Sequence, residues 1–347
     1  MITTNSSIAI PIQPLSIGSV RLRTNLILSP MSGVTDCAFR NLVKACSGEA
    51  VGLLVTEFIA AEGLTRDNEK TLRMLRFKES ERPVSIQIFG ADVDRMVRAA
   101  QMVEQAGADI VDVNCGCPAP KVVRRGGGAE LMRQSDRLRA ILQGIKQRVR
   151  IPVTVKIRAG WDDDSRNAES IGALVEQEGA AMLAVHGRTR VQLYSGLADW
   201  DLVGRLRERM SIPVVGSGDV VEPIDALNRL RHGCADGVMI GRGAMGNPWI
   251  FAQVVAAAAG ETLPSPSADD LAGALERFRD ELRETLPDRA FLGRFRGLAC
   301  RFVKGMPGGA AARRAIGAAT TIEDVLAIFT EFVSGRRRAI DLEEQVA

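Results

Sequence analysis

Ile110-Val-Asp-Val-Asn-Cys-Gly-Cys-Pro118 is a short apolar run that breaks off in an amide, two thiols, a glycine and a proline. Its alternation and β-branched residues predict a strand over Ile110–Asn114, with Gly116 and Pro118 holding Cys117 on a stiff turn just beyond. The same grammar recurs on both sides. Strands are predicted at Leu26–Ser29, Gly52–Thr56 and Val84–Ile88 before it, and at Val153–Ile157, Met182–His186, Pro213–Gly216 and Gly237–Ile240 after it. Helical periodicity fills the gaps, as at Val93–Gln105, Ser135–Arg148, Ala168–Gln177, Trp200–Arg209 and Pro223–Arg231. Eight strands alternating with helices give the rhythm of an α/β (β/α)8 TIM barrel, with an open doubly wound sheet as the competitor.

Polar strand ends decide between the two. Ser29-Pro30-Met31, Thr56-Glu57, Gln87, Asn114 with Cys117, Lys156 with Arg158, His186 with Arg188, Ser217-Gly218-Asp219 and Gly241-Arg242 each close a predicted strand. One such end is a coincidence; eight in succession describe the rim where all βα-loops of a barrel converge. The barrel is assigned to residues 1–260. After a Pro/Ser-rich break at Glu261–Ser267, only helical patterns follow, so residues 268–335 read as a small all-α domain and 336–347 as a charged tail.

Composition limits the function. The 347 residues are 46% apolar and 25% charged with a net charge of +3, which excludes bulk disorder. No apolar run reaches the ~18 residues of a membrane span, and Met1–Leu15 lacks a signal-like pattern. Six scattered cysteines without a CxxC pair point to a reduced, cytoplasmic protein with no metal site; a monomer is expected. Charge is uneven, however. Lys121–Arg150 sets nine Lys/Arg against Glu130 and Asp136, and Arg289–Arg338 sets ten against Glu323, Asp324 and Glu331. Two such blocks fit a polyanionic partner, although solvated helix faces also carry runs of this kind.

The glycine loops at Gly216–Asp219 and Gly241–Gly246 stand where barrel enzymes bind phosphate. Gly241-x-Gly-x-x-Gly246 also matches a dinucleotide fingerprint, which fails here for want of a following strand. Gln87, Lys156 and His186 supply edge donors and acceptors for a planar heterocycle across the mouth, with the ammonium balancing charge on a reduced ring. Cys117 is placed to act as nucleophile, acid or metal ligand, and a lone CxC cannot complete a zinc site.

Pro30-Met31 with Gly33-x-Thr-Asp36, Asn114-x-Gly-Cys-Pro118, Lys156-Ile-Arg158-x-Gly160, His186-Gly-Arg-Thr189 and Ile240-Gly-Arg-Gly243 with Pro248-Trp249 together resemble the tRNA-dihydrouridine synthases. The bacterial B-type branch is the most similar, over about residues 20–310. The resemblance implies a flavin barrel with a helical RNA-binding domain. Pro30, Met31, Gln87, Lys156, His186, Ser217, Gly218, Asp219, Gly241 and Arg242 would hold FMN, with NADPH as reductant. Asn114 and Lys156 would hold the target uracil, with Arg188, Arg190 and Gln192 beside it and Arg296, Arg301 and Lys304 meeting the RNA. Cys117 would be the general acid that protonates C5. The RNA is expected to be tRNA, with ribosomal RNA as the alternative. A dihydroorotate-dehydrogenase-like barrel acting on a free pyrimidine and a non-catalytic RNA-binding protein are the competing readings. Three departures stand out. Ser217-Gly-Asp219 replaces the usual Asn-Gly-Asp, Arg296-Gly-Leu298 replaces Arg-Lys-His, and Arg301-Phe302 replaces an aromatic pair.

Overall fold

The computed structural model describes residues 11–263, 265–286 and 288–346. Residues 1–10, read above as lacking a signal, lie outside them, as does Pro264 of the interdomain break. Eight parallel strands close on themselves: β1 (Leu26–Leu28), β2 (Leu53–Val55), β3 (Val84–Phe89), β4 (Ile110–Cys115), β5 (Val153–Arg158), β6 (Met182–His186), β7 (Val214–Ser217) and β8 (Gly237–Ile240). Closure comes from β8 pairing with β1, Ile240 opposite Leu28, and β2 pairing with β3, Leu54 opposite Val84. The barrel expected from the strand ends is therefore present. Strand β7 begins one residue later than expected because Pro213 has no N–H to give to the ladder.

Register sets what points inward. With a period of two, Ile110, Asp112 and Asn114 of β4 share one face, as do Thr154, Lys156 and Arg158 of β5. The lower interior is apolar and includes Ile27, Leu53, Ile110, Met182, Val215 and Met239. A hairpin that the sequence reading did not anticipate, Leu15–Ile17 paired antiparallel with Val20–Leu22, adds Leu15, Ile17 and Leu22 to that same cluster. It closes the amino end of the barrel. Outer helices bury their apolar stripes against the strands, and their starts are set by visible caps. Asp92 accepts from Arg95 N at 2.9 Å, and Asp199 accepts from Leu202 N at 2.8 Å.

The four C-terminal helices run over Ala268–Thr285, Asp288–Phe302, Gly309–Ala318 and Ile322–Val346. A Ser267/Asp270 capping box starts the first, and Phe278, Phe295, Phe302 and Phe329 are buried among them. The last helix continues past Arg336, where the sequence reading sets off a tail. The Ala268–Thr285 helix packs on the barrel's Cys37–Ser47 helix. Arg294 ties the two parts together, donating to Asp36 Oδ2 from Nε (2.8 Å) and Nη2 (2.6 Å) and to Val34 O (3.0 Å). Among the described residues, no helix is long and apolar enough to cross a membrane.

Gly216 shows how tightly the rim is supported. A Cβ there would lie 2.1 Å from the ring of Trp200, whose Nε1 donates to Gly218 O at 3.1 Å. Gly216→Ala is expected to lower stability by about 1–3 kcal/mol through overpacking. Gly204→Ala, at an open site inside the Trp200–Arg209 helix, is expected to raise it by up to about 1 kcal/mol. Urea unfolding of both variants checks the contrast.

Candidate active site

The carboxyl ends of the strands surround one cavity of about 680 Å³. Its floor is polar and bonded in series. Thr154 Oγ1 and Gln87 Nε2 donate to the two oxygens of Asp112, at 2.5 and 2.6 Å. Asn114 Nδ2 donates to Gln87 Oε1 at 2.7 Å, and Gly116 N and Cys117 N donate to Asn114 Oδ1 at 3.1 and 2.8 Å. Backbone N–H groups only donate, so Asn114 must turn its oxygen to them; the sense of every amide down to Asp112 follows. The Cys117 turn is thereby held by the barrel interior. Gly128 packs beneath it at φ +59°, and a Cβ there would lie 2.6 Å from Cys117 O.

Cys117 is buried but lines the cavity, whereas Cys115, at the end of β4, is fully buried and does not. Burial pushes the Cys117 thiol above its ordinary pKa, against the opposing pull of the Ala119 N–H and of Arg158. Burial, then Arg158, pushes Lys156 down to about 8, with Asp112 acting to support its charge. His186 is pushed down to about 2 by burial and by Lys156, Arg158, Arg188 and Arg242, so it is neutral. Arg188 Nη1 lies 3.3 Å from His186 Nε2, which must accept. Burial opposes ionisation of Asp219, but the Ala198 N–H and Arg188 outweigh it and hold the carboxyl below its usual range.

Most residues singled out in the sequence meet here. Pro30, Met31, Asn114, Cys117, Lys156, His186, Ser217, Gly218, Asp219, Gly241, Arg242 and Arg301 all line the cavity. Others stand behind it. Gln87 is fully buried in the floor. Arg188 is 1% exposed; it donates to both oxygens of Asp219 at 2.6 and 2.8 Å and so braces the β7 loop rather than lining the cavity. Arg190 stacks on Trp161 at 4.7 Å, and Gln192 Oε1 accepts from Thr189 N at 2.7 Å within its own loop. Arg296 donates to Gly317 O and Ala319 O at 2.9 and 3.2 Å, closing the end of the Gly309–Ala318 helix, and Lys304 is exposed outside the cavity.

The site list read from the sequence omits Arg158 and Tyr194, both in the lining. Arg158 donates to Gly116 O, Thr189 O and Leu193 O, each at 2.9 Å, and joins the Cys117 turn to the loop after β6. The signal was its spacing, two residues beyond Lys156 on the same strand face. Tyr194, with Arg158 at 5.8 Å and Arg242 at 5.1 Å from its ring centre, lies in an aperiodic loop that carries no such signal. Among the described residues there is no cluster of three or more His, Cys, Asp or Glu able to hold a metal ion.

A flavin fits this lining. Gly218 and Gly241 expose backbone at the wall: a Cβ on Gly218 would meet the His186 ring at 2.9 Å, and one on Gly241 would meet Met31 Sδ at 3.5 Å. Among the described residues, Lys156, Arg158, Arg242 and Arg301 of the lining are set against one carboxylate, Asp219, a charge balance that favours an anionic ligand.

Comparison with known proteins agrees with the geometry. The family model described as "Dihydrouridine synthase (Dus)" matches residues 27–334. The chain is 37% identical over 337 residues to "tRNA-dihydrouridine synthase B" of Pseudomonas putida, covering 94% of this chain and 97% of that one. It is 40% identical over 257 residues to "Probable tRNA-dihydrouridine synthase" of Rickettsia bellii, covering 74% and 78%. Histamine dehydrogenase from Rhizobium sp. 4-9 shares the fold at TM-score 0.56 and 16% identity, over 78% of this chain and 51% of that one. Morphinone reductase does so at 0.51 and 16%, over 74% and 92%. The chain belongs to the dihydrouridine synthase family of oxidoreductases.

Proposed function

We propose that this protein reduces a uridine of tRNA to 5,6-dihydrouridine, using FMN as cofactor and NADPH as reductant. The observation that carries the reading is the meeting in one cavity of a protonated thiol, an amide and an ammonium beside bare glycine backbone, within a chain of this family. Gly218, Gly241 and Arg242 would hold the flavin phosphate, Met31 and His186 would flank the ring, and Lys156 would stand by its reduced edge. Bound and reduced, the flavin supplies a hydride for C6 of the uracil.

The chain's own groups do the rest. Asn114 spends its oxygen on two backbone N–H groups and one amide hydrogen on Gln87, which leaves one N–H for a uracil carbonyl. Lys156, about 8 in the free protein, is charged at neutral pH and donates to the same base. Cys117, kept protonated by burial, gives its proton to C5 and regains it from solvent. The uridine must leave its stack to reach this depth. Six free cysteines and a tRNA substrate fit a cytoplasmic setting. Ribosomal RNA is the second reading. Leu298, where the family pattern has a histidine, is 3% exposed, so that position offers RNA no polar contact.

Purified protein is expected to be yellow, to release FMN on heating, and to reduce unmodified tRNA with NADPH while leaving free uridine nearly untouched. Cys117→Ala should keep flavin and RNA binding but lose turnover by about 10²-fold or more, and Cys115→Ala should be close to wild type. Equal loss in both variants would remove Cys117 from the protonation step.

Lys156 also predicts a pH dependence. Its depressed pKa means that its charge is present below about 8 and lost above it, so FMN affinity should weaken as pH rises through that value. Asp112→Asn preserves the bonded floor, since asparagine can accept from Gln87 and donate to Thr154. It removes the charge that supports Lys156, however, and should move the drop to lower pH. Flavin fluorescence titrations from pH 6 to 9 measure both.

A further inference from the structure

Arg294 and Arg301 stand seven residues apart on the Asp288–Phe302 helix, two turns along one face that meets the barrel. Their surroundings differ. Arg294 is consumed by the interface, donating to Asp36, Gly33 O and Val34 O. Arg301 lines the cavity, half-buried, and among the described residues its guanidinium makes no hydrogen bond or ion pair. The helix is seated close to the turn that follows β8: a Cβ on Gly246 would lie 3.1 Å from Arg301 O. Arg242 opens that same turn and also faces the cavity.

A fourth cation in a lining with one carboxylate is costly for the empty protein. Asp219 is already shared between Arg188 and Arg242, so it cannot serve Arg301 as well. Burial and the nearby Arg294 both act against the charge on Arg301. A planar fork of donors without an acceptor, at the edge of a cationic cavity, matches a tetrahedral oxyanion. We infer that Arg301, delivered to the cavity by the helical domain, binds a phosphate ester alongside Arg242. The inference rests on the flavin- and RNA-binding reading above and deepens it. The ester is either the monoester of FMN or a diester of the RNA strand.

The test uses the full chain with Arg301→Gln and Arg301→Lys. FMN and riboflavin, which differ only in the phosphate, are titrated by flavin fluorescence. Unmodified tRNA is titrated from 50 to 200 mM salt. If the flavin phosphate is the ligand, Arg301→Gln should weaken FMN by about tenfold or more and leave riboflavin unchanged. If an RNA phosphate is the ligand, FMN should be unaffected, and the slope of log K against log salt should shrink by about 0.7–0.9. Either result supports the inference and identifies the source. Arg301→Lys keeps the charge without the fork and should weaken the same ligand severalfold; it also reports should the glutamine variant lose structure. Wild-type behaviour of both variants in both titrations overturns the inference alone. A wild-type chain that binds neither flavin nor tRNA overturns the functional reading with it.

Discussion

Asp112 lies wholly inside the barrel, and the order of the rim above it depends on how that carboxylate is satisfied. Its oxygens take donors from Thr154 and Gln87, and the remaining capacity of Gln87 passes through Asn114 to the backbone of the Cys117 turn. Inside a low-dielectric interior, each of these groups would cost about 1–3 kcal/mol if left without a partner. The chain therefore holds as a unit. A loop rich in glycine and proline, which alone would sample several shapes, is held by its attachment to the strand beneath it.

The same interior sets the electrostatics of the mouth. Lys156 and Arg158 come from the end of β5 and Arg242 from the turn after β8, which closure of the barrel forces together, and burial strips away the water that would screen them. His186 responds by staying neutral, and Asp219 by remaining ionised. The result is a cavity whose protein charges are unbalanced until something negative enters. Binding of an anion and organisation of the site are thus expressions of one imbalance.

Much of this is legible in the amino-acid sequence. Alternation and β-branching located all eight strands, and helical periodicity placed starts at Val93, Trp200 and Pro223, where the structure shows Asp92 and Asp199 capping the first two. Polar residues at strand ends located the cavity because a parallel barrel brings every such end to one face. Depth and partnership were not legible. Gln87 reads as a rim residue yet serves in the floor, and Arg188 reads as a ligand contact yet braces Asp219; neighbours more than twenty residues away decide both. Arg296 likewise looks free for RNA until the end of a later helix takes its donors. The Leu15–Leu22 hairpin was missed because three-residue strands are too short to show a period.

That hairpin has a consequence for traffic. Leu15, Ile17 and Leu22 cap an interior that Ile27, Leu53, Ile110 and Met182 already fill, and the cavity opens at the carboxyl rim. On the proposed reading, the reductant and the uridine would both enter through that opening. Neither can wait inside for the other. On that reading the cycle would be two visits separated by a departure, joined only by the electrons that a bound flavin would hold between them.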